Sequence, residues 1–406
     1  MDLDALDAAD PLAPFRDRFA LPEGVVYLDG NSLGALPRAT SAAVAKAVAE
    51  DWGQNLVKSW NTAGWIDLAA DIARDLAVVI GAEPHELAVG DSISVNLFKL
   101  LGAARSLRPE RPVILADKRN FPTDLYVAQG FAGLTGLGLQ LVETPDELAA
   151  AVTAGTALVM ASHVDYRSGA ILDLDRLVRA AHDQGALCLV DLAHSAGVLR
   201  VDLAARDIDM AVGCGYKYLN GGPGAPAFLY LAERHHAAAR QPITGWFGHA
   251  EPFAFEPTYR PAPGIRRFQA GTPPILSLVA LREGIRIAAE APIEPVRAKA
   301  KSLTTAFLTL VDQHLGDQSF TLVSPRDADK RGAQIALAHP DAYAITQALI
   351  ARDVIPDYRE PDIVRFGFAP LYLRHTDLQV AVARLATIMH ERAYDQPAFR
   401  TRAKVT

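Results

Sequence analysis

Asp191-Leu-Ala-His194-Ser-Ala-Gly197 is followed, one apolar run later, by Gly215-Tyr216-Lys217-Tyr218-Leu-Asn220. The segment 186–190 is short and wholly apolar, so Asp191 stands at a strand end. A second apolar run, 208–213, leads into Tyr216 and Lys217. Taken singly, an aspartate after an apolar run is a turn former or helix cap, and most lysines are solvated. Together, 26 residues apart and in the frame D-x-A-H-x-x-G…Y-K-Y-L-N, they suit pyridoxal 5'-phosphate (PLP). The carboxylate pairs with a protonated ring nitrogen, making the ring an electron sink, and the amine forms a Schiff base.

Outward from this frame, residues 86–231 alternate short apolar runs with helical patterns. The runs fall at 86–89, 112–116, 139–143, 156–162, 186–190, 208–213 and 225–231. Helices are expected at 94–106, 122–131, 145–153 and 173–184. Strands buried on both faces and joined by helices imply an α/β layer with a mainly parallel, mixed sheet. Ligands of such sheets lie beyond the strand C-termini, where Asp191 and Ser162 fall.

Upstream, residues 1–25 read as a loosely held arm with one short helix, and helices are expected near 41–52 and 65–80, the second stopping at Gly81. The stretch 240–275 is rich in Pro, Gly and aromatics, a long loop of the kind that is often functional. A long helix near 278–290 leads out of the sheet region. Beyond it the pattern is helix, strand (333–338), helix (343–352), strand (363–367) and a final helix (376–393). The expected division is an N-terminal arm and helix, 1–50, associated with the small domain; a large α/β cofactor domain, 51–290; and a smaller α+β C-terminal domain, 291–406.

The 406 residues are 50% hydrophobic and 21% charged, with no apolar run of membrane-spanning length. A net charge of −7 argues against nucleic acid as the main partner. Met1-Asp-Leu-Asp-Ala lacks the basic-then-apolar order of a signal peptide, so a cytoplasmic location is expected. Cys188 and Cys214 sit in or beside apolar strands and read as buried hydrophobes, not a disulfide or metal pair.

Asp91-Ser-Ile93-Ser94-Val-Asn96 marks a strand-to-helix junction, where free N–H groups and serine hydroxyls suit a phosphate, or where a serine simply caps the helix. Phe121 either stacks on a ring or staples the next helix. His194 either buttresses Asp191 or is a satisfied core residue. There is no G-x-G-x-x-G after a strand and no G-x-x-x-x-G-K-[ST], so nucleotide folds have no support.

These pieces, with Asn31-Ser32-Leu-Gly34, Phe121-Pro-Thr-Asp124, Gly245-Trp-Phe-Gly-His249 and Pro273-Pro-Ile-Leu276, resemble the kynureninases from Tyr27 to Tyr372. The resemblance implies PLP fold type I, the aspartate aminotransferase-like fold. It also implies hydrolysis of L-kynurenine to anthranilate and L-alanine, a hydrolase acting on a C–C bond of a ketonic substrate. Lys217 becomes the Schiff-base lysine and Asp191 the partner of the ring nitrogen. Ile93, Ser94, Phe121, Asp124, Ser162, His194, Tyr216 and Trp246 become cofactor contacts, and Thr272 arrives from a second subunit, making a homodimer with a shared active site. Arg365 matches the arginine that grips the substrate α-carboxylate, a task suited to a planar, bidentate guanidinium. Trp60, Ser32 and Asn31 fall on the substrate side, and Tyr216 is either a phosphate ligand or the acid–base group near the γ-oxygen. Trp60, Trp65, Trp246 and Phe247 are candidates for an aromatic slot, or ordinary core aromatics. Vertebrate relatives carry His and Asn where Trp60 and Thr272 stand; the Trp/Thr pair resembles bacterial forms that favour kynurenine over its 3-hydroxy derivative. The alternatives are another enzyme of the same fold, an aminotransferase or a cysteine desulfurase, and a non-catalytic cofactor-binding regulator.

Overall fold

A computed structural model describes residues 1–316 and 320–403. Its strands in chain order are β1 (Val26–Tyr27), β2 (Leu87–Val89), β3 (Val113–Asp117), β4 (Gly138–Val142), β5 (Thr156–Ser162), β6 (Leu187–Asp191), β7 (Met210–Cys214), β8 (Ala227–Leu231), β9 (Thr321–Leu322), β10 (Gln334–Ala338), β11 (Val354–Ile355), β12 (Asp357–Arg359) and β13 (Ile363–Gly367). Seven of them form one sheet in the order β2-β8-β7-β6-β5-β3-β4. The pairs from β7 through β4 are parallel, while β8 runs antiparallel to both β7 and β2. All seven apolar runs of the sequence are strands of this sheet.

The sheet is sandwiched because its inner strands are buried at nearly every position, not at alternate ones, while the edge strand β4 stays partly exposed. Along β6, Leu187 and Leu189 enter the core on one face and Cys188 and Val190 the core on the other. One face is covered by Ile93–Leu107 and Pro122–Thr135, the other by Leu68–Ile80, Leu174–Asp183 and Ile275–Glu290. From β3 the chain runs outward to β4; on returning to β5 it runs the opposite way through β6 and β7. The order therefore reverses between β3 and β5, and a crevice opens at their C-terminal ends.

A second, antiparallel sheet has the order β12-β13-β10-β9. It shares a core with the helices Ile293–Leu315, Ala342–Ile350 and His375–His390 and with Leu3, Leu12, Phe19 and Leu28 of the N-terminal segment. The sequence pattern reveals β10 and β13 but not β9, β11 or β12, which are two or three residues long and too short to show a period. The helix expected at 41–52 is α-helical over Arg38–Lys46 and widens to a π turn over Ala47–Trp52. Lys46 Nζ there pairs with Asp51 at 2.7 Å, five residues on, a spacing that suits the wider turn.

The arm is not loosely held. Asp7 accepts from the N–H groups of His375 (2.6 Å) and Thr376 (3.1 Å), Asp10 forms a buried ion pair with Lys299 (2.6 Å), and Arg16 reaches Asp377 (3.1 Å). Acidic residues that read as solvated charges each find a partner far along the chain, which local patterning does not register.

Asp209, just before β7, ties the base of the sheet together. Its carboxylate accepts from the Cys188 N–H in β6 (2.8 Å) and from Arg234 (2.8 Å), and contacts His182 (2.9 Å) and His235 (2.7 Å). Burial acts to raise its pKa, but the hydrogen bonds from His182, His235 and Cys188 outweigh it and hold the group below the usual carboxylate range. Its stabilising contribution is therefore present above the unfolded carboxylate value and is lost as pH falls through the depressed one. Asp209→Ala should lower the unfolding free energy at pH 7 by about 3–5 kcal/mol, the cost of breaking a buried charged pair. Chemical denaturation of variant and parent should show that gap shrinking in strong acid.

Candidate active site

Four strand ends and the start of the helix Ile93–Leu107 meet in the crevice. The segment after β3 brings Asn120, Phe121 and Asp124; β5 ends in Ser162 and β6 in Asp191, which are paired in register; the turn after β7 carries Tyr216 and Lys217. Ser92 caps the helix Ile93–Leu107, its hydroxyl accepting from Val95 N–H at 3.4 Å, so the Ile93 and Ser94 N–H groups face the cavity with no intrahelical acceptor. A cavity of about 220 Å³ is lined by Ile93, Ser94, Phe121, Asp124, Ser162, Asp191, His194, Tyr216 and Lys217 among others. Nine of the eleven expected cofactor residues are thus brought together.

The electrostatics inside are unusual. Lys217 forms no salt bridge among the described residues; its Nζ lies 2.9 Å from His194 Nε2 and 5.9 Å from the centre of the Phe121 ring. Burial, then the neighbouring Lys217 charge, pushes the His194 pKa well below normal, so the imidazole is neutral and Nε2 accepts from the ammonium. Burial raises Asp191 despite the opposing pull of Lys217, and Asp191 accepts from Ala193 N–H at 2.6 Å. Asp124 is driven well above the carboxylate range by burial and by the charge of Asp191. As a carboxylate it would have no donor at either oxygen, and a bond to Asp191 requires a shared proton. Burial likewise raises Tyr216, keeping it a phenol that can donate.

The residues fit PLP. A buried carboxylate that lacks a cation, helix N–H groups that lack acceptors and a lysine that lacks a counter-ion are what its ring N–H, phosphate and aldehyde would satisfy. Asp191, Asp124 and His194 would flank the ring, Phe121 one face, Ile93 and Ser94 the phosphate, and Lys217 the aldehyde carbon. Asn120 is an addition the sequence did not single out: its Oδ1 accepts from Ser162 Oγ at 2.7 Å, and its buried Nδ2 has no partner.

The Asn31–Gly34 turn crosses the lysine loop. Gly34 N–H donates to Tyr216 O at 2.7 Å, and a Cβ at Gly34 would stand 2.3 Å from the Lys217 carbonyl oxygen, so only glycine fits. The same turn brings Ser32 to Arg365. Arg365, in β13 and 1% exposed, faces Asp357 directly across the β12–β13 pair. Its Nε and Nη2 grip the two Asp357 oxygens (2.9 and 2.5 Å), Nη2 also reaches Ser32 Oγ (3.0 Å), and Nη1 donates to the Tyr166 carbonyl (2.5 Å). One fork of the guanidinium is therefore already taken by Asp357, which the sequence reading did not foresee. Tyr166 lines the cavity and lies edge-on to Phe121 at 5.2 Å, linking this cluster to the ring site.

Six expected residues do not line this cavity: Ser32 and Arg365, in the cluster behind Tyr166, and Asn31, Trp60, Trp246 and Thr272. Asn31 is fully buried, its Nδ2 3.4 Å from Gln334 Oε1 and its side chain against Gly367. Trp246 lies outside, 38% exposed, packed on Phe247 (4.5 Å) and Phe253 (5.7 Å). Trp60 packs on Trp65 and Phe247, each at 5.9 Å, and Thr272 immediately precedes Pro273, which lines a groove with Trp246 and Phe247. These aromatics cluster because the 240–275 loop folds onto the start of the helix Leu68–Ile80, away from the strand ends. Both thiols, Cys188 and Cys214, are buried and precede Lys217, so no exposed cysteine serves a desulfurase-type reaction.

Comparisons with known proteins agree with the geometry. Residues 296–385 match the family model for the kynureninase C-terminal domain. The chain is 48% identical over 409 residues to a kynureninase of Burkholderia mallei (strain SAVP1), covering 99% of this chain and 98% of the relative. It is 47% identical over 408 residues to a kynureninase of Pseudomonas fluorescens, with coverage of 99% and 98%. Similar solved structures include the apo cysteine desulfurase of Thermococcus onnurineus NA1 (TM-score 0.78, 19% identity, 93% of this chain and 98% of that one). Another is a C-DES variant with glycine covalently linked to its PLP cofactor (TM-score 0.81, 18% identity, 91% and 98%). At such identities these two establish the shared PLP fold type I alone. Matched end to end by relatives at nearly half identity, the chain belongs to the kynureninase family.

Proposed function

We propose that the chain hydrolyses L-kynurenine at its Cβ–Cγ bond, giving anthranilate and L-alanine, with PLP held by Lys217. The observation that carries this reading is one cavity in which an unpaired Lys217, the buried carboxylate of Asp191 and the free start of the helix Ile93–Leu107 converge. PLP, when bound, supplies the electron sink that lets bonds at the substrate α- and β-carbons break heterolytically.

The protein's own groups then have separable tasks. Asp191, backed by Asp124, keeps a proton on the ring nitrogen. His194, held neutral, takes a hydrogen bond from Nζ and so orients Lys217. The freed Lys217 amine removes the substrate α-proton and returns it later in the cycle. Tyr216, kept protonated by burial, donates near the phosphate and the substrate γ-oxygen. Arg365, anchored by Asp357 and Ser32, would fix the α-carboxylate and so present the substrate α-C–H bond to the Lys217 amine. In this division residues 51–290 hold the cofactor, and residues 291–406 with the arm 1–50 carry the carboxylate end.

We further infer a homodimer with a shared site. Trp52, Leu56, Val57, Trp246, Phe253 and Phe255 are exposed apolar side chains that a second subunit would cover. In that dimer Trp246 and Thr272 complete the neighbouring subunit's phosphate site. No helix among the described residues is long and apolar enough to cross a membrane, and we place the enzyme in the cytoplasm.

Purified protein should absorb near the visible edge and release fluorescent anthranilate from L-kynurenine. Lys217→Ala should lose the band and slow release by on the order of a thousandfold or more; retention of either sinks the assignment. On the Trp60 and Thr272 pairing, kcat/KM should favour L-kynurenine over 3-hydroxykynurenine, and equal or better turnover of the latter would refute it. Sedimentation should give about twice 43.6 kDa, the chain mass; a monomer would rule out the shared site.

A further inference from the structure

Beside Arg365 stands a second guanidinium. Arg359 Nη2 lies 2.7 Å from Asp357 Oδ2 and 3.2 Å from Ser32 Oγ, the same two groups that hold Arg365. Ser32 Oγ in turn donates to Asp357 Oδ2 at 2.6 Å, so a single hydroxyl sits among both arginines and their shared carboxylate. The two arginines flank Asp357 on β12 and β13, in a pairing set by sheet register.

The charges do not balance. Two guanidiniums face Asp357, whose ionised form their charges favour against the effect of burial. The one other acid of the cluster is Asp29, with a buried Oδ1 that has no hydrogen-bond partner. Burial first, then repulsion by Asp357, pushes Asp29 up to about 7, so near neutrality it offers only part of a second negative charge. Arg359 and Arg365 repel one another across the cluster, and Arg359 Nε is buried without an acceptor. An anion placed between the two would relieve both. Arg365 is almost fully enclosed, whereas the Arg359 side chain keeps 35% of its surface, so Arg359 is the one with a free approach. Arg365 Nη1 donates to the carbonyl of Tyr166, which lines the cavity that holds Lys217, so the cluster adjoins the cavity's wall.

We propose that Arg359 is the second guanidinium of the substrate-carboxylate site, binding the α-carboxylate jointly with Arg365 while Asp357 and Ser32 hold the two side by side. This rests on the reading that the α-carboxylate docks at Arg365. It also resolves a geometric difficulty, because Asp357 occupies one fork of Arg365 and leaves that arginine short of free donors. Arg359 supplies the missing ones. Asp29 sets the net charge: when it ionises, the cluster is neutralised from within and the substrate carboxylate is held less well. The groups facing Asp29 are Asp357, Ser32, Arg359, Arg365 and the phenols of Tyr27, Tyr218 and Tyr372. The phenols stay neutral throughout the accessible range, since burial raises each of them.

The test uses PLP-loaded enzyme, L-kynurenine as substrate and its decarboxylated amine as competitive inhibitor. Arg359→Gln should raise KM for L-kynurenine about 10- to 100-fold, the range for a lost charge-assisted bond, with kcat changed far less. Its inhibition constant for the carboxylate-free amine should stay within about twofold of the parent value. Arg359→Lys, which keeps the charge but not the fork, should fall between, and it is read the same way if the glutamine variant does not fold. Equal weakening of both ligands would mean a merely structural role, and no weakening of either would mean no contact; each overturns the proposal. If Arg365→Gln weakens L-kynurenine while Arg359→Gln does not, this inference fails and the underlying reading stands. If Arg365→Gln has no effect, both fail. KM for L-kynurenine should also rise as pH climbs through about 7 and flatten in Asp29→Asn; an unchanged profile in that variant removes Asp29 from the account.

Discussion

Everything at the cavity follows from an ammonium placed where no carboxylate neutralises it. Lys217 is half-buried, and its nearest polar neighbour is an imidazole that burial keeps uncharged. Asp191 is close enough to be felt and is held by Ala193 N–H, beside an Asp124 whose carboxyl burial pushes toward its protonated form. A lysine paired directly with a carboxylate would be a stable ion pair and a poor nucleophile; held as it is, the amine is free to react. The sheet makes this arrangement possible, because neighbouring parallel strands end at one level and Asp209 pins β6 and β7 from below.

Much of this was legible in the amino-acid order. All seven strands of the large sheet fall on apolar runs, the inner ones unbroken because burial on both faces removes the need for alternation, and Asp191 and Lys217 stand out as polar groups beyond those runs. The helix start at Ser92 was equally visible. What was not visible depends on pairings between distant segments. β12 is three residues long, so Pro356-Asp-Tyr-Arg carries no period, yet it delivers both Asp357 and Arg359 to Arg365. The acids of the arm looked solvated for the same reason. Trp60 and Trp246 illustrate the opposite failure: their presence in the family pattern was clear, but a motif does not say where the side chain packs, and both lie in an aromatic cluster outside the cavity.

The two ends of the site differ in how their charge is managed. At the ring end the polar groups are left unsatisfied and await a cofactor that supplies the missing donors and acceptors. At the proposed carboxylate end most groups are already bonded to one another, Asp29 Oδ1 and Arg359 Nε being the buried exceptions, and the cluster carries surplus positive charge. Binding there exchanges partners within a preformed network, which limits the conformational cost of taking up a small, flexible amino acid.

Gly34 joins these two regimes. Its backbone presses on the Lys217 carbonyl while Ser32, two residues earlier, touches both arginines. One tight turn thereby works as a caliper between the lysine loop and the arginine cluster. A displacement of that turn would move both together, so neither end of the proposed amino-acid site could be reset without the other.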